Sequence, residues 1–149
     1  MPDRLLLDTM LGKLATYLRM CGYDTAYALD EEVEADNALL ELATEEGRRL
    51  LTRDRALAAR APDAVLLDSG NVEDQLRELA GAGFDLALTE EPVRCGVCNA
   101  TLTRVGTDEP TPDYALDSAE APVWRCSDCG QHFWRGSHWD DVVGRLADL

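Results

Sequence analysis

Four of the five cysteines in the chain stand in two Cys-x-x-Cys pairs, Cys95 with Cys98 and Cys126 with Cys129. This is the ligand spacing of a tetrahedral site in which four thiolates bind zinc. Two disulfides or a redox-active dithiol are the alternatives that the spacing leaves open. Because a four-thiolate site has no vacant coordination position, the zinc that it predicts is structural, and any catalysis must take place elsewhere.

The residues around these pairs favour the turns of a zinc ribbon. Asn99 and Gly130 directly follow the two pairs, and both residue types tolerate the positive φ of such turns. The 27 residues between the pairs include three prolines, which predicts a loop inserted between two ribbon hairpins. Cys21 is left over, and we interpret it as a small buried hydrophobic residue without a functional role.

Aspartates form the second candidate group. Asp8, Asp54 and Asp68 each follow a short apolar segment, and Asp36 precedes a predicted helix. Carboxylates that lie close together repel each other unless a cation binds between them, and hard oxygen ligands suit magnesium or manganese. The reaction that such a site implies is metal-assisted phosphodiester hydrolysis. Helix capping is the alternative role of Asp36 and Asp54, because acidic residues are abundant throughout the chain.

An alternation of strands and helices is predicted to position these acids. Strands are predicted at residues 4–7, 25–29, 49–52 and 64–67, and helices at 11–22, 37–46, 55–60 and 72–80. This order is typical of an α/β fold with a parallel sheet flanked by helices, in which ligands bind beyond the carboxyl ends of the strands. Pro92 marks a boundary, so we predict an α/β domain over residues 1–90 and a small zinc ribbon over residues 91–149.

The charge of the chain is strongly acidic. Asp and Glu number 29 against 14 Lys and Arg, and Lys13 is the only lysine. This composition favours a halophilic protein, although an ordinary acidic cytosolic protein is the alternative. In molar salt the Debye length is about 3 Å, so the net charge does not exclude a nucleic-acid partner. The apolar run at residues 5–7 is too short for a signal peptide, and no run is long enough to span a membrane, which predicts a cytoplasmic location.

Several motifs occur together in one order along the chain. They are DTMLGKLA at residues 8–15, LRMCGYDT at 18–25, LTRDR at 51–55, the four cysteines, and WRGSHW at 134–139. With these motifs the chain resembles the Mut-seven C-terminal RNase domain family, a PIN-like ribonuclease domain with a C-terminal zinc ribbon. The resemblance spans nearly the whole chain. It implies a PIN-like parallel sheet flanked by helices, a following zinc ribbon, and RNA as the substrate.

The resemblance also implies roles for individual acids. Asp8, Asp36 and Asp54 match the catalytic acids of PIN-type nucleases, which would hold magnesium or manganese. We add Asp68 as a fourth acid, with Ser69 or Asp74 as the alternatives.

Two basic residues are candidates for binding phosphate. Lys13 lies about one helical turn beyond Asp8, and Arg53 directly precedes Asp54. A solvated helix face and a strand-edge charge are the ordinary interpretations of these residues.

All three tryptophans and both histidines of the chain lie between residues 124 and 139. One interpretation is packing, in which aromatic side chains join the ribbon to the α/β domain, namely Trp124, Phe133, Trp134 and Trp139. The other is binding of single-stranded nucleic acid. The residues assigned to that second role are Trp134, Arg135, His138 and Trp139.

The sequence therefore predicts a divalent-metal-dependent ribonuclease whose ribbon assists RNA docking. A non-catalytic adaptor that binds RNA through the ribbon is the first alternative. A phosphoester hydrolase acting on small nucleotides ranks third, because no base-recognition motif is present. The sequence does not predict the oligomeric state.

Overall fold

The computed structural model describes residues 4–149, which form two sheets and five helices. The first four strands and helices alternate along the chain: β1 Leu5–Leu7, α1 Gly12–Met20, β2 Thr25–Tyr27, α2 Asp36–Glu46, β3 Arg49–Thr52, α3 Arg55–Ala59, β4 Val65–Leu66 and α4 Val72–Gly81. The remaining elements are β5 Leu102–Arg104, β6 Val123–Cys126, β7 His132–Trp134 and α5 Ser137–Ala147. The predicted α/β class and the order of the first eight elements are confirmed.

The larger sheet is parallel, with strand order β2-β1-β3-β4. All three residues of β1 are fully buried, as expected for a central strand with helices on both faces. Leu5 and Leu7 pack with α1 and α4, whereas Leu6 packs with α2 and α3 on the opposite face. The alternation of side chains along this strand thus divides the apolar core into two layers.

Helix and strand ends agree with the sequence signals to within one or two residues. Gly47 has a φ of 63° and ends α2, as its position predicts. The second strand is shorter than the predicted 25–29, although the Ala28 amide still donates to the Leu7 carbonyl. The shortening follows from the turn at residues 28–32 that leads away from the sheet.

The C-terminal helix α5 was not predicted. Trp139, Val142 and Leu146 repeat at helical spacing, which is the signal that identifies it. Val142 is buried, Leu146 packs against the α1/α4 core, and Arg145 donates a hydrogen bond to the Tyr17 hydroxyl at 3.0 Å. Part of the segment that follows the ribbon therefore belongs to the packing of the α/β layer.

The first Cys-x-x-Cys turn docks on the outer edge of β2. The Asn99 Oδ1 atom accepts a hydrogen bond from the Thr25 amide at 2.8 Å, and its Nδ2 donates to Asp24 at 2.7 Å. Arg19 of α1 is 3% exposed and donates to the carbonyls of Gly96 and Val97 at 3.0 and 3.2 Å. These bonds satisfy an edge-strand amide and fix the ribbon against the parallel sheet.

Asp24 is the acidic centre of this interface. Its carboxylate also pairs with Arg48 at 2.9 Å and with Arg4 at 3.2 Å. Burial by itself raises the pKa of Asp24, but the hydrogen bonds from Asn99 and Arg48 outweigh burial and lower the pKa from 3.8 to about 2. The folded state therefore favours the ionised form of this carboxyl group.

We predict that Asp24→Asn lowers the free energy of unfolding by roughly 1.5–3 kcal/mol at pH 7, because charge-assisted hydrogen bonds are lost. Since folding depresses the pKa of Asp24, its stabilisation is complete above about pH 4 and declines as the pH falls towards 2. Urea unfolding of both proteins from pH 7 to pH 2 measures this difference, which should narrow below pH 4. Asp113→Asn, in the exposed inserted loop, is the control, and a difference that is independent of pH contradicts the prediction.

Candidate functional site

Asp8 and Asp54 are linked through Thr52, the last residue of β3. Thr52 is fully buried, and its hydroxyl donates to Asp8 Oδ2 at 2.7 Å while accepting from the Asp54 amide at 3.0 Å. Asp8 directly follows β1, the neighbour of β3 in the sheet. The carboxyl ends of two adjacent strands thus bring these two acids to one edge, as the sequence predicts.

The Asp54 side chain is the N-cap of α3. Its Oδ1 accepts from the amides of Ala56 and Leu57 at 2.9 and 3.1 Å, so the capping role proposed for this residue is observed. The residue is exposed, and its Oδ2 has no hydrogen-bond partner within residues 4–149. Capping uses one carboxylate oxygen and leaves the other available.

Asp36 and Asp68 are exposed acids at separate positions. Asp36 is the first residue of α2, and the N-cap is Ala35, which makes no side-chain capping bond. Capping by Asp36 is therefore not observed. The main chain of Asp68 accepts from Arg53 at 3.3 Å and donates to Glu78 at 2.8 Å.

The alternatives to Asp68 have other structural roles. The Ser69 amide donates to Glu78 at 3.2 Å, and its carbonyl accepts from Gln75 at 2.9 Å. The Asp74 carboxylate binds Asn71 and Arg77, each at 2.8 Å. Neither residue contacts the Asp8 and Asp54 pair through these bonds.

A further acid at this edge, Asp30, was missed by the sequence analysis. It follows the predicted strand at 25–29 directly, so the rule that selected Asp8 would have selected it too. The Tyr27 hydroxyl donates to the Thr9 carbonyl at 2.6 Å. Burial raises the pKa of Tyr27, and the negative charges of Asp30 and Asp8 raise it further. Asp30 also pairs with Arg19 at 3.5 Å.

The acids do not form a cluster that is ready to hold a cation. Within residues 4–149, the four cysteines are the only group of three or more His, Cys, Asp or Glu residues whose ligand atoms lie within 4.8 Å of one another. Asp8 and Asp54 are connected by Thr52, whereas no bond joins Asp36 to either of them within the same part of the chain. The assignment of three acids to one ion remains a prediction.

The predicted phosphate-binding residues lie on the same side of the sheet. Lys13 is exposed in the first turn of α1, close to Asn71 at the start of α4. The guanidinium of Arg53 lies over Gly70, and its buried Nε has no hydrogen-bond partner among the described residues. Both side chains place a positive charge at the edge of the sheet where the parallel strands end.

The four cysteines converge on one point. The Sγ atoms of Cys95 and Cys129 are 3.7 Å apart, and those of Cys98 and Cys126 are 3.4 Å apart. Four sulfurs at 2.3 Å from a central zinc in a tetrahedron would be separated by about 3.8 Å. None of these cysteines forms a disulfide, so the donor set, its size and its geometry fit a structural zinc ion.

The second Cys-x-x-Cys turn favours a thiolate at Cys126, whereas burial raises the pKa values of Cys95 and Cys98 in the first turn. Asn99 and Gly130 have φ values of 75° and 78°, as predicted, and the amides of Asp128 and Cys129 donate to the Cys126 sulfur at 3.4 Å. Burial raises the pKa of Cys126, but these amides outweigh it and lower the pKa to about 7. The amides thus stabilise the ionised form that a metal binds.

The aromatic residues of the ribbon segment lie in two different environments. Trp124 is 3% exposed and lies between the guanidinium groups of Arg104 and Arg135, at 5.4 and 5.6 Å from its ring centre. It is therefore a packing residue. Trp134, His138 and Trp139 instead line a groove of about 260 Å³ between α1 and the ribbon.

The inserted loop contributes Tyr114, which the sequence did not single out. Its hydroxyl accepts from the His132 amide at 3.1 Å, and its ring lies 6.2 Å from that of Trp134. His132 belongs to β7, an edge strand of the ribbon sheet. The loop between β5 and β6 therefore covers an exposed strand edge, and no pattern in the sequence predicts that contact.

A family model described as the Mut7-C RNAse domain matches residues 3–146. The chain belongs to the Mut7-C RNAse domain family. Membership indicates a ribonuclease-like function with RNA as the implied substrate, and the match covers both the parallel sheet and the cysteine cluster. Comparison with curated proteins and with solved structures gives no significant match. No helix formed by residues 4–149 has the length and apolar character needed to cross a bilayer.

We predict that Thr52→Val lowers the free energy of unfolding by roughly 1–3 kcal/mol, because it leaves the Asp54 amide without an acceptor and removes a donor from Asp8. Valine has nearly the same shape as threonine, so denaturant unfolding reports the lost hydroxyl. Thr52→Ser keeps the hydroxyl and is the control. A valine variant as stable as the wild type would show that the link does not contribute to stability.

We predict that Cys129→Ala abolishes stoichiometric zinc binding, whereas Cys21→Ala retains it. Cys129 is exposed, so its loss acts through the metal rather than through packing. Structural zinc contributes on the order of 10 kcal/mol to folding of small modules, so the zinc-free ribbon should unfold while the parallel sheet persists. Elemental analysis and amide hydrogen exchange measure both effects. Equal exchange protection in the ribbon with and without zinc contradicts the prediction.

Proposed function

We propose that this protein is a divalent-metal-dependent ribonuclease that hydrolyses RNA phosphodiester bonds at the edge where β1 and β3 end. The observation that carries the proposal is the Thr52 hydroxyl, which joins the acid after β1 to the segment containing the acid after β3. In a member of an RNAse domain family, two acids linked at a strand edge favour a catalytic site.

Magnesium or manganese is the proposed catalytic cofactor, held by Asp8, Asp36 and Asp54 with Asp68 as a fourth acid. An ionised carboxylate offers about four lone-pair positions, so Asp8 and Asp54 keep acceptor capacity beyond their hydrogen bonds. Asp36 begins the helix that follows β2, which by topology starts at the same edge. The cation supplies polarisation of the phosphate and activation of water.

Basic residues are proposed to bind the RNA backbone. Lys13 and Arg53 would contact phosphates close to the acids, because both lie on the side where the strands end. Arg135 and His138 of the ribbon segment would assist docking. The guanidinium of Arg135 also packs on the Trp124 ring and donates a hydrogen bond to the Glu90 carbonyl at 3.3 Å. These two contacts fix the position of the guanidinium.

The proposed setting is a cytoplasm of high salt, in which the zinc is structural and the chain is organised as an α/β domain over 1–90 and a ribbon domain over 91–149. A net charge of −15 repels RNA at low ionic strength. At molar salt the screening length falls to about 3 Å, so local contacts decide binding.

One observation favours a second candidate, the non-catalytic RNA-binding adaptor. The acids within residues 4–149 do not converge as the cysteines do. An adaptor would bind RNA through the ribbon and its aromatic side chains and would need no cation between the acids.

We predict that purified protein cleaves an end-labelled RNA of mixed sequence in molar potassium chloride with magnesium or manganese. Asp8→Asn and Asp54→Asn should each reduce the rate by about a hundredfold or more, because a lost metal ligand removes several kcal/mol of stabilisation. Asparagine caps helices as well as aspartate does, so Asp54→Asn keeps the start of α3. Gel electrophoresis of the products measures the rate.

Asp63→Asn is the matched control, because Asp63 is an exposed acid that precedes β4 at the opposite edge of the sheet. Cleavage that persists in both Asp8→Asn and Asp54→Asn rules out the proposed site. If RNA is bound but is cleaved neither with magnesium nor with manganese, the result supports the adaptor.

A further inference from the structure

The groove between α1 and the ribbon has an unusual lining for this protein. About one residue in five of the chain is acidic, yet none of the thirteen residues around the groove is Asp or Glu. The lining contains both histidines and two of the three tryptophans of the chain. The lining itself therefore contributes no carboxylate, although the chain as a whole has a net charge of −15.

The chemistry of the lining fits a nucleobase. Trp134 and Trp139 offer aromatic rings, and Ser137, His138 and Thr16 offer polar atoms at the same surface. Unpaired bases are recognised by this combination, in which rings stack and polar groups bind the base edges. The volume of about 260 Å³ lies just below the usual range for small-molecule sites, so it admits a base rather than a folded partner.

A basic side chain belongs to the same lining as the two tryptophan rings. Arg94 lines the groove, donates to the Asn99 carbonyl at 3.1 Å and pairs with Asp24 at 3.8 Å. Its buried Nε has no hydrogen-bond partner among residues 4–149. A fixed guanidinium beside stacking rings complements the phosphate that follows a bound base.

The groove is connected to the edge of the sheet by one face of α1. Thr16 and Met20 line the groove, and together with Lys13 they stand at i, i+3 and i+7 on one helical stripe. From the start of α1 to Met20 the helix rises by about 12 Å. A single strand of RNA that lies along this stripe reaches the loop that begins at Asp8 and directly precedes α1.

We propose that the groove binds an unpaired nucleobase of single-stranded RNA and that the strand runs along α1 past Lys13 towards Asp8. This inference rests on the proposed function, since it names the substrate class as single-stranded RNA. A duplex is excluded because a paired and stacked base does not present its face to the two tryptophans.

Two substitutions on α5 test the groove. Ser137→Glu places a carboxylate in the lining at the first residue of the helix, where an acid is compatible with the helix dipole. Val143→Glu adds the same charge to an exposed position of the same helix outside the groove. Binding of a 5′-labelled oligouridylate is measured by fluorescence anisotropy. Magnesium and manganese are left out so that cleavage does not interfere, and no chelator is used, so that zinc is retained.

We expect Ser137→Glu to weaken binding at least tenfold and Val143→Glu to change it less than twofold. Bound oligouridylate should also quench tryptophan fluorescence, whereas an abasic oligonucleotide and a duplex of the same length should not. Equal affinities of the two variants, or equal quenching by the abasic strand, overturn the proposal.

The groove and the nuclease can fail separately. Quenching and discrimination between the two variants, without cleavage when metal is added, support the groove and reject the ribonuclease. Cleavage by the wild type with no difference in binding between Ser137→Glu and Val143→Glu rejects the groove and leaves the ribonuclease standing.

Discussion

The buried guanidinium of Arg19 is the interaction on which the arrangement of this protein depends. It binds the Thr25 carbonyl at 2.9 Å and the carbonyls of Gly96 and Val97, and it pairs with Asp30. Burial lowers the pKa of Arg19, and the charge of Asp30 opposes that shift. A buried charge is tolerated only when its donors are satisfied, so one side chain of α1 fixes β2, the first cysteine turn and the loop after β2 together.

The elements of the parallel sheet were predictable because their signals are local. A run such as Leu5–Leu7, a glycine that ends a helix and a Cys-x-x-Cys spacing each act within a few residues. Helix α5 was equally visible in its apolar spacing, but Trp139 near its start was interpreted only as a packing or nucleic-acid-binding residue. Asp30 was overlooked although it directly follows the predicted strand at 25–29, as Asp8 directly follows the first strand.

Other parts of the site depend on side-chain positions that no sequence pattern encodes. The Thr52 hydroxyl bridges two segments 44 residues apart, and its role follows only from the register of β1 on β3. The cover of β7 by Tyr114 depends on the path of a long insertion. Whether three carboxylates approach one cation likewise depends on distances between side chains, which no local sequence pattern specifies.

The bond between Asn99 and the Thr25 amide also affects how the chain avoids unwanted assembly. Asn99 has the positive φ of the first cysteine turn, and its side chain accepts a hydrogen bond from the outward-facing amide of Thr25 on the edge strand β2. A fragment without the ribbon would present that amide, and the apolar sheet behind it, to strands of other molecules. The cysteine-containing segment therefore blocks edge-to-edge pairing at β2, and a chain whose last third has not folded would leave this edge of the α/β layer open.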